Sequence, residues 1–255
     1  MPGININRES YNSYPWDHNG DEWSTAWGGT EYLWAVTIFP RIMNFVPTDV
    51  ILEIAPGFGR CTQYLHPLCK ELIAVDLSER CIKACQERFS NVSKIKYYVN
   101  DGKSLDMLEN NSIDFVFSWD SMVHVESEEI LSYLRFLSQK LKPGGKGFIH
   151  HSNLGEYINK TTGKLIALNY HVRAETMTAE LFRQYCRDVG LTCVSQELIP
   201  WHDVILNDCF SVFVKGGNKK TETEIFENKN FIQEIDNINR IKKLYCENIE
   251  NTLTS

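Results

Sequence analysis

Residues 49–65, DVILEIAPGFGRCTQYL, constrain this chain more than any other stretch. The run Val50-Ile51-Leu52-Glu53-Ile54 reads as a buried strand, Gly57 and Gly59 permit a tight turn, and a helix begins near Arg60. The same alternation continues downstream. Strands are expected over 50–54, 72–76, 95–99, 113–118 and 146–151, with helical patterns over 60–69, 79–89 and 127–141 between them. "LKPGG" stops the last of these helices with Pro143 and two glycines. Strands alternating with helices imply an α/β fold whose parallel sheet is wound by right-handed crossovers. Two late runs, CVSQELIPW and CFSVFVKGG, read as a closing β-hairpin, preceded by a helix that Thr178 can cap.

Three segments follow from this pattern: an aromatic-rich N-terminal stretch and helix over 1–48, the α/β domain over 49–217, and a linker with a C-terminal helix over 218–255. The first contains YPWDHNGDEWSTAWGG, an aperiodic run that must pack on something to offset its ordering entropy; it is expected either to cover a cleft or to form a solvated arm. The helix that follows has Pro40 inside it and should kink or split there. In the tail, Phe231, Ile232, Ile235, Ile238, Ile241, Tyr245 and Ile249 recur at helical spacing, a stripe for packing on the parent domain or on a second copy of the chain.

Composition excludes several classes. A formal charge of −7 argues against a general nucleic-acid binder. No run of 18 apolar residues is present, so no membrane span is expected, and MPGININRES lacks the apolar core of a secretion signal. None of the eight cysteines forms a CxxC pair, which fits reduced thiols in a cytoplasmic protein better than a zinc ribbon.

In an open α/β sheet the ligand sits outside the carboxyl ends of the strands, where the loop APGFG lies. A dinucleotide would want a third glycine or an alanine where Thr62 stands, and Glu53 would repel a pyrophosphate. An acid at that point suits a cationic ligand. With LEIAPGFG, IAVDLS, NDG, IDFVFSWDSMVHV and LKPGGKGFIHHSN in order over about residues 49–215, the chain resembles the class I S-adenosylmethionine-dependent methyltransferases. Ala55 replaces the first glycine of that family's loop.

The resemblance implies a Rossmann-like methyltransferase fold: a mostly parallel seven-stranded sheet with a C-terminal β-hairpin and helices on both faces. It also implies S-adenosylmethionine as cofactor. The loop Ala55, Pro56, Gly57 and Gly59 would touch its methionine part and ribose, Glu53 would orient the amino group, and Asp76 would accept from the ribose hydroxyls. Leu77, Asp101 and Gly102 would face the adenine, with Ser118 and Trp119 beside the methyl group. Asp76 could instead cap the next helix, and Asp101 could serve a turn.

For the acceptor, three groups at strand ends offer a base: His151, His124 and Asp120. His150 and His151 cannot both face the site, because successive strand residues point to opposite faces. The combination FSWDSMVHVES…LKPGGKGFIHHSNLG…MTAELF…DCFS is similar to methyltransferases of bacterial surface-polysaccharide pathways, which implies O-methylation of a sugar or nucleotide-linked sugar. In that reading Trp23, Trp27, Tyr32, His150, Asn153 and Arg173 form the acceptor side, and no metal is required. The alternatives are N-methylation of a small amine or phosphoramidate, for which a base matters less, and a non-catalytic binding protein.

Overall fold

In the computed structural model residues 3–201, 204–217 and 222–247 are described. Eight strands form one sheet: β1 (Thr48–Ile54), β2 (Cys69–Asp76), β3 (Ile95–Val99), β4 (Ile113–Ser118), β5 (Leu141–Ser152), β6 (Leu191–Ile199), β7 (Asp208–Lys215) and β8 (Glu224–Glu227). Their order is β3-β2-β1-β4-β5-β7-β6-β8. The first five run parallel; β7 lies antiparallel between β5 and β6, which is the expected closing hairpin. The direction of winding reverses between β1 and β4, so the loops leaving these two strands part and open a crevice.

The sheet separates two apolar clusters, and strand alternation decides which residue joins which. On β1, Ile51 packs on one side with Leu33, Phe115, Phe117 and Phe148, whereas Leu52 and Ile54 pack on the other with Val116, Leu134 and Leu137. Glu53 therefore shares the face of Ile51, near the end of the strand. The helices Ser127–Lys140 and Ala179–Val189 cover the second face; the helix Glu79–Arg88 and the N- and C-terminal helices cover the first.

Three expectations change. The helix around Pro40 does not split. It runs as Thr30–Tyr32, then wide π turns over Leu33–Ile38, then Phe39–Ile42, and the altered bonding pattern of the wide turns accommodates the proline's missing N–H. The region 60–69 is only a short α turn, Thr62–Leu65, followed by a 3-10 turn, His66–Leu68. The stretch 218–255 is more than a linker and a helix. Although residues 218–221 lie outside the described residues, Glu224–Glu227 adds an eighth strand parallel to β6, at the sheet's edge.

The helix Phe231–Lys242 then returns to the parent domain. Phe231 and Ile235 are buried in the first cluster, while Ile241 and Tyr245 are exposed and Ile249 falls outside the described residues. Burying the Phe231 side chain is worth about 1.5–3 kcal/mol. The segment is also pinned by polar contacts: Asn228 donates to Glu197, and Glu197 takes both forks of Arg41 at 2.6 and 2.7 Å.

Candidate active site

The loop after β1 is bent by residues with positive φ. Gly57 has φ +58, and a Cβ there would stand 2.9 Å from the Trp16 ring. Gly59 has φ +89, and a Cβ there would stand 2.5 Å from the Phe89 ring. Both positions need glycine for conformation and for space. Ala55 takes the same left-handed region at φ 58, held by donating its N–H to Val75 at 2.7 Å.

Between this loop and the ends of β2 and β4 lies a crevice of about 1000 Å³, open at its mouth. Glu53, Ala55, Pro56, Gly57, Asp76, Leu77, Gly102 and Trp119 line it. Gly59 and Ser118 do not. Gly59 packs beneath the loop, and Ser118 is fully buried, donating its hydroxyl to the Ile54 carbonyl at 2.9 Å.

The two buried acids are electrostatically primed. Burial pushes Glu53 up to about 8, partly offset by the Thr62 hydroxyl that donates to it at 2.6 Å. Burial also raises Asp76, to about 6, against the pull of backbone N–H groups from Ser78 at 2.8 Å and Gly57 at 3.1 Å. Two acids held above their ordinary values in one crevice favour a ligand that brings positive charge or hydroxyl donors.

The N-terminal segment covers this crevice. The helix Ile4–Ser13 and the turn Asp21–Trp27 lay Trp16 on Phe58, stacked at 4.5 Å between centroids, with Trp23 stacked on Trp16 at 5.3 Å. Asn7 donates to the His124 carbonyl at 2.9 Å, and Arg80 donates to the carbonyls of Asn12 and Tyr14. Tyr11 also lines the crevice, its hydroxyl pushed well above the ordinary tyrosine value by burial.

A second pocket of about 650 Å³ lies beside the first, with Trp23 in the walls of both. Trp27, Trp201, Asp120, His124, His171 and Arg173 complete its lining. A chain of buried charges runs behind it. Arg60 reaches Asp120 at 3.3 Å, Arg173 lies 3.6 Å from Asp120 and 2.9 Å from Asp208, and Asp208 contacts His150 at 3.0 Å. His150 accepts the Asp120 backbone N–H through Nδ1 at 3.2 Å, so its Nε2 carries the proton donated to Asp208. Asp120 itself sits at φ 54, a conformation this network holds in place. His124 donates Nδ1–H to the Val172 carbonyl at 3.0 Å, which leaves Nε2 as the unprotonated nitrogen. Burial and the Arg173 charge lower its pKa to about 4.

Several site expectations need correction. His151 is on the wrong face: it follows Ile149 into the second cluster, stacks on Phe182 at 4.4 Å and bonds Ser152 and Ser211 through its two nitrogens. Burial lowers its pKa to about 4, and no solvent reaches it. Asp101 is exposed and closes a turn, accepting from the Lys103 and Ser104 amides at 3.0 and 2.7 Å, so it does not face the crevice. Asn153 is a connector, accepting from the Ala179 amide and donating to the Leu206 carbonyl. Tyr32 lies outside both pockets, under Lys242. His150 supports Asp120 from behind the pocket wall rather than lining it. Four lining residues had no signal in periodicity or motif: Tyr11, Arg60, His171 and Trp201. Among the described residues no cluster of three or more His, Cys, Asp or Glu groups could hold a metal ion, and no helix is long and apolar enough to cross a membrane.

This geometry has counterparts in known proteins. The family model of a methyltransferase domain matches residues 51–145, from the middle of β1 into β5. Over these residues the chain is similar to a methyltransferase domain, a match that implies S-adenosylmethionine as cofactor. A wheat (Triticum aestivum) protein, phosphoethanolamine N-methyltransferase 1, is 26% identical over 213 residues, covering 78% of this chain and 41% of the wheat protein. The malonyl-[acyl-carrier protein] O-methyltransferase of a Marinomonas species is 30% identical over 115 residues, covering 42% of this chain and 41% of that protein. An S-adenosylmethionine-dependent methyltransferase from Clostridium acetobutylicum superposes with a TM-score of 0.55 at 17% identity, covering 71% of this chain and 89% of the other. The chain spans about two fifths of the length of these two curated relatives. Its crevice fits the cofactor's chemistry: Trp16 roofs the space beside Gly57, two raised acids await a cation, and the buried Nε1–H of Trp119 has no partner among the described residues.

Proposed function

We propose that this protein transfers a methyl group from S-adenosylmethionine to the nitrogen of a small amine that also bears an anionic group, of the phosphoethanolamine type. The observation that carries the reading is the second pocket, where the Asp120 carboxylate and the Arg173 guanidinium, 3.6 Å apart, stand beside His124. Glu53, Asp76 and the loop 55–57 would hold the cofactor, which supplies a methyl group on a positively charged sulfur.

Asp120 accepts a hydrogen bond from the amine N–H and orients the nitrogen lone pair. Arg173 uses Nε and Nη2 on Asp208, at 3.2 and 2.9 Å, and has Nη1 left to donate to the acceptor's anionic end. His124 accepts a hydrogen bond through Nε2. With its pKa near 4 it takes up little proton at neutral pH, so the amine loses its proton to water before it attacks. A sugar hydroxyl would need a stronger base. The relatives named for phosphoethanolamine N-methylation support the nitrogen acceptor, and the carbohydrate reading has no support among the relatives reported.

Two measurements test this. With 13C-methyl cofactor, phosphoethanolamine is expected to acquire an N-methyl carbon signal while a nucleotide sugar acquires none; methyl transfer only to a hydroxyl would refute the reading. His124→Gln is expected to lower kcat by less than about tenfold, whereas loss of a general base for an alcohol would cost about 10²- to 10⁴-fold.

A further inference from the structure

We propose that Arg60, together with the indole N–H of Trp119, receives the carboxylate of the cofactor's amino-acid end. This rests on the crevice being the S-adenosylmethionine site. The amino-acid end of that molecule carries an ammonium, a sulfonium and a carboxylate. Glu53 and Asp76 suit the cationic and hydroxyl groups, and the carboxylate needs donors of its own.

Arg60 is the only Lys, Arg or His among the described residues that line the crevice. It follows Gly59, whose left-handed turn sends the chain back across the strand ends, and only 7% of it is exposed. Its hydrogen bonds to Asp120 and Ser24 are long: 3.3 Å from Nη2 to the Asp120 carboxylate and 3.4 Å from Nη1 to the Ser24 hydroxyl. A guanidinium has five N–H donors in a planar fork, so most of its capacity is open to a planar oxyanion. The Trp23 ring, 5.8 Å from its central carbon, limits how it can swing.

Trp119 is the independent second observation. Its ring lines the crevice, it is 4% exposed, and its Nε1–H has no partner among the described residues. Buried indole N–H groups are normally bonded, so an acceptor belongs there. A carboxylate has lone pairs enough for both the fork and the indole. Arg60 also touches Asp120 of the second pocket, so the acceptor's anionic group is the competing source of the same chemistry.

Calorimetry separates these sources with three ligands: S-adenosylhomocysteine, its analogue lacking the carboxyl group, and methylthioadenosine, which lacks the whole amino-acid end. The intact protein is expected to prefer S-adenosylhomocysteine over the decarboxylated analogue by about 10- to 100-fold. Arg60→Gln should bring that ratio below about threefold and leave methylthioadenosine binding within twofold, with Arg60→Lys in between. The indole 15N–1H signal of Trp119, assigned with Trp119→Phe, should move with S-adenosylhomocysteine and stay still with the decarboxylated analogue. A ratio near one in the intact protein overturns the proposal without any variant. So does an Arg60→Gln protein that keeps the ratio and loses only acceptor affinity, which would give the anion to the acceptor. If none of the three nucleosides binds, the cofactor site itself has been misplaced, a separate failure.

Discussion

Replacing Asp208 by Ala is expected to cost about 3–5 kcal/mol of stability, the usual penalty for leaving a buried charge without its partner. Arg173 is the charge in question. It is 3% exposed and gives Asp208 two hydrogen bonds, while the next acidic group, Asp120, is 3.6 Å away. For a domain of this size the loss corresponds to a fall in Tm of roughly 6–20 °C. A melt within 2 °C of the parent would contradict it. Converting both partners to apolar residues, Asp208→Leu with Arg173→Met, should recover part of the loss, because the unpaired charge goes with its partner.

The pH dependence has a definite sign. Burial works to raise the Asp208 pKa, but Arg173 and the His150 bond outweigh it and hold the carboxyl at about 2. A carboxylate depressed on folding adds stability above its unfolded value near 4, and that stability is lost as pH falls through 2. The parent protein should therefore lose stability between about pH 4 and 2, and the Asp208→Ala protein should lack this component.

The second large effect concerns Asp76. Its carboxylate closes β2, accepts from two backbone amides and faces the crevice where the proposed ribose contact lies. Asp76→Ala should weaken S-adenosylhomocysteine binding by about 30- to 1000-fold, the range for losing charge-assisted hydrogen bonds worth about 2–4 kcal/mol in sum. Burial holds Asp76 near 6, so ligand affinity in the parent should fall as pH drops below 6 and the acceptor is protonated. Affinity within threefold of the parent in the Ala variant would remove Asp76 from the site.

The sheet was readable because its central strands are buried on both faces and appear as unbroken apolar runs, as in Leu72–Val75 and Phe115–Phe117. The glycine loop and the acids Glu53 and Asp76 were readable because positive φ and burial leave few residue choices. Which of two adjacent histidines faces the site was not readable. His150 and His151 differ only in parity along β5, and parity assigns a face once the sheet's orientation is known; Phe182 and Phe213 occupy the side that His151 enters. Asp101 shows a local rule prevailing: a short acidic side chain two residues before a free amide closes a turn unless a ligand competes.

β8 carries no apolar period because its four residues are exposed at the sheet edge. Arg60, Tyr11, His171 and Trp201 come from loops and from the N-terminal helix, where only tertiary packing sets their place. The aromatic N-terminal stretch was legible in composition alone.

The most direct measurement is a calorimetric titration of S-adenosylhomocysteine at pH 7 in two buffers of different ionisation enthalpy. Glu53, held near 8, is mostly protonated before the ligand arrives, and an ammonium placed beside it favours the ionised form. Binding should therefore release close to one proton, seen as a heat that differs between buffers, and Glu53→Gln should abolish the difference. Absence of binding, or binding with the same heat in both buffers, would contradict the assignment of this crevice to the cofactor's amino-acid end.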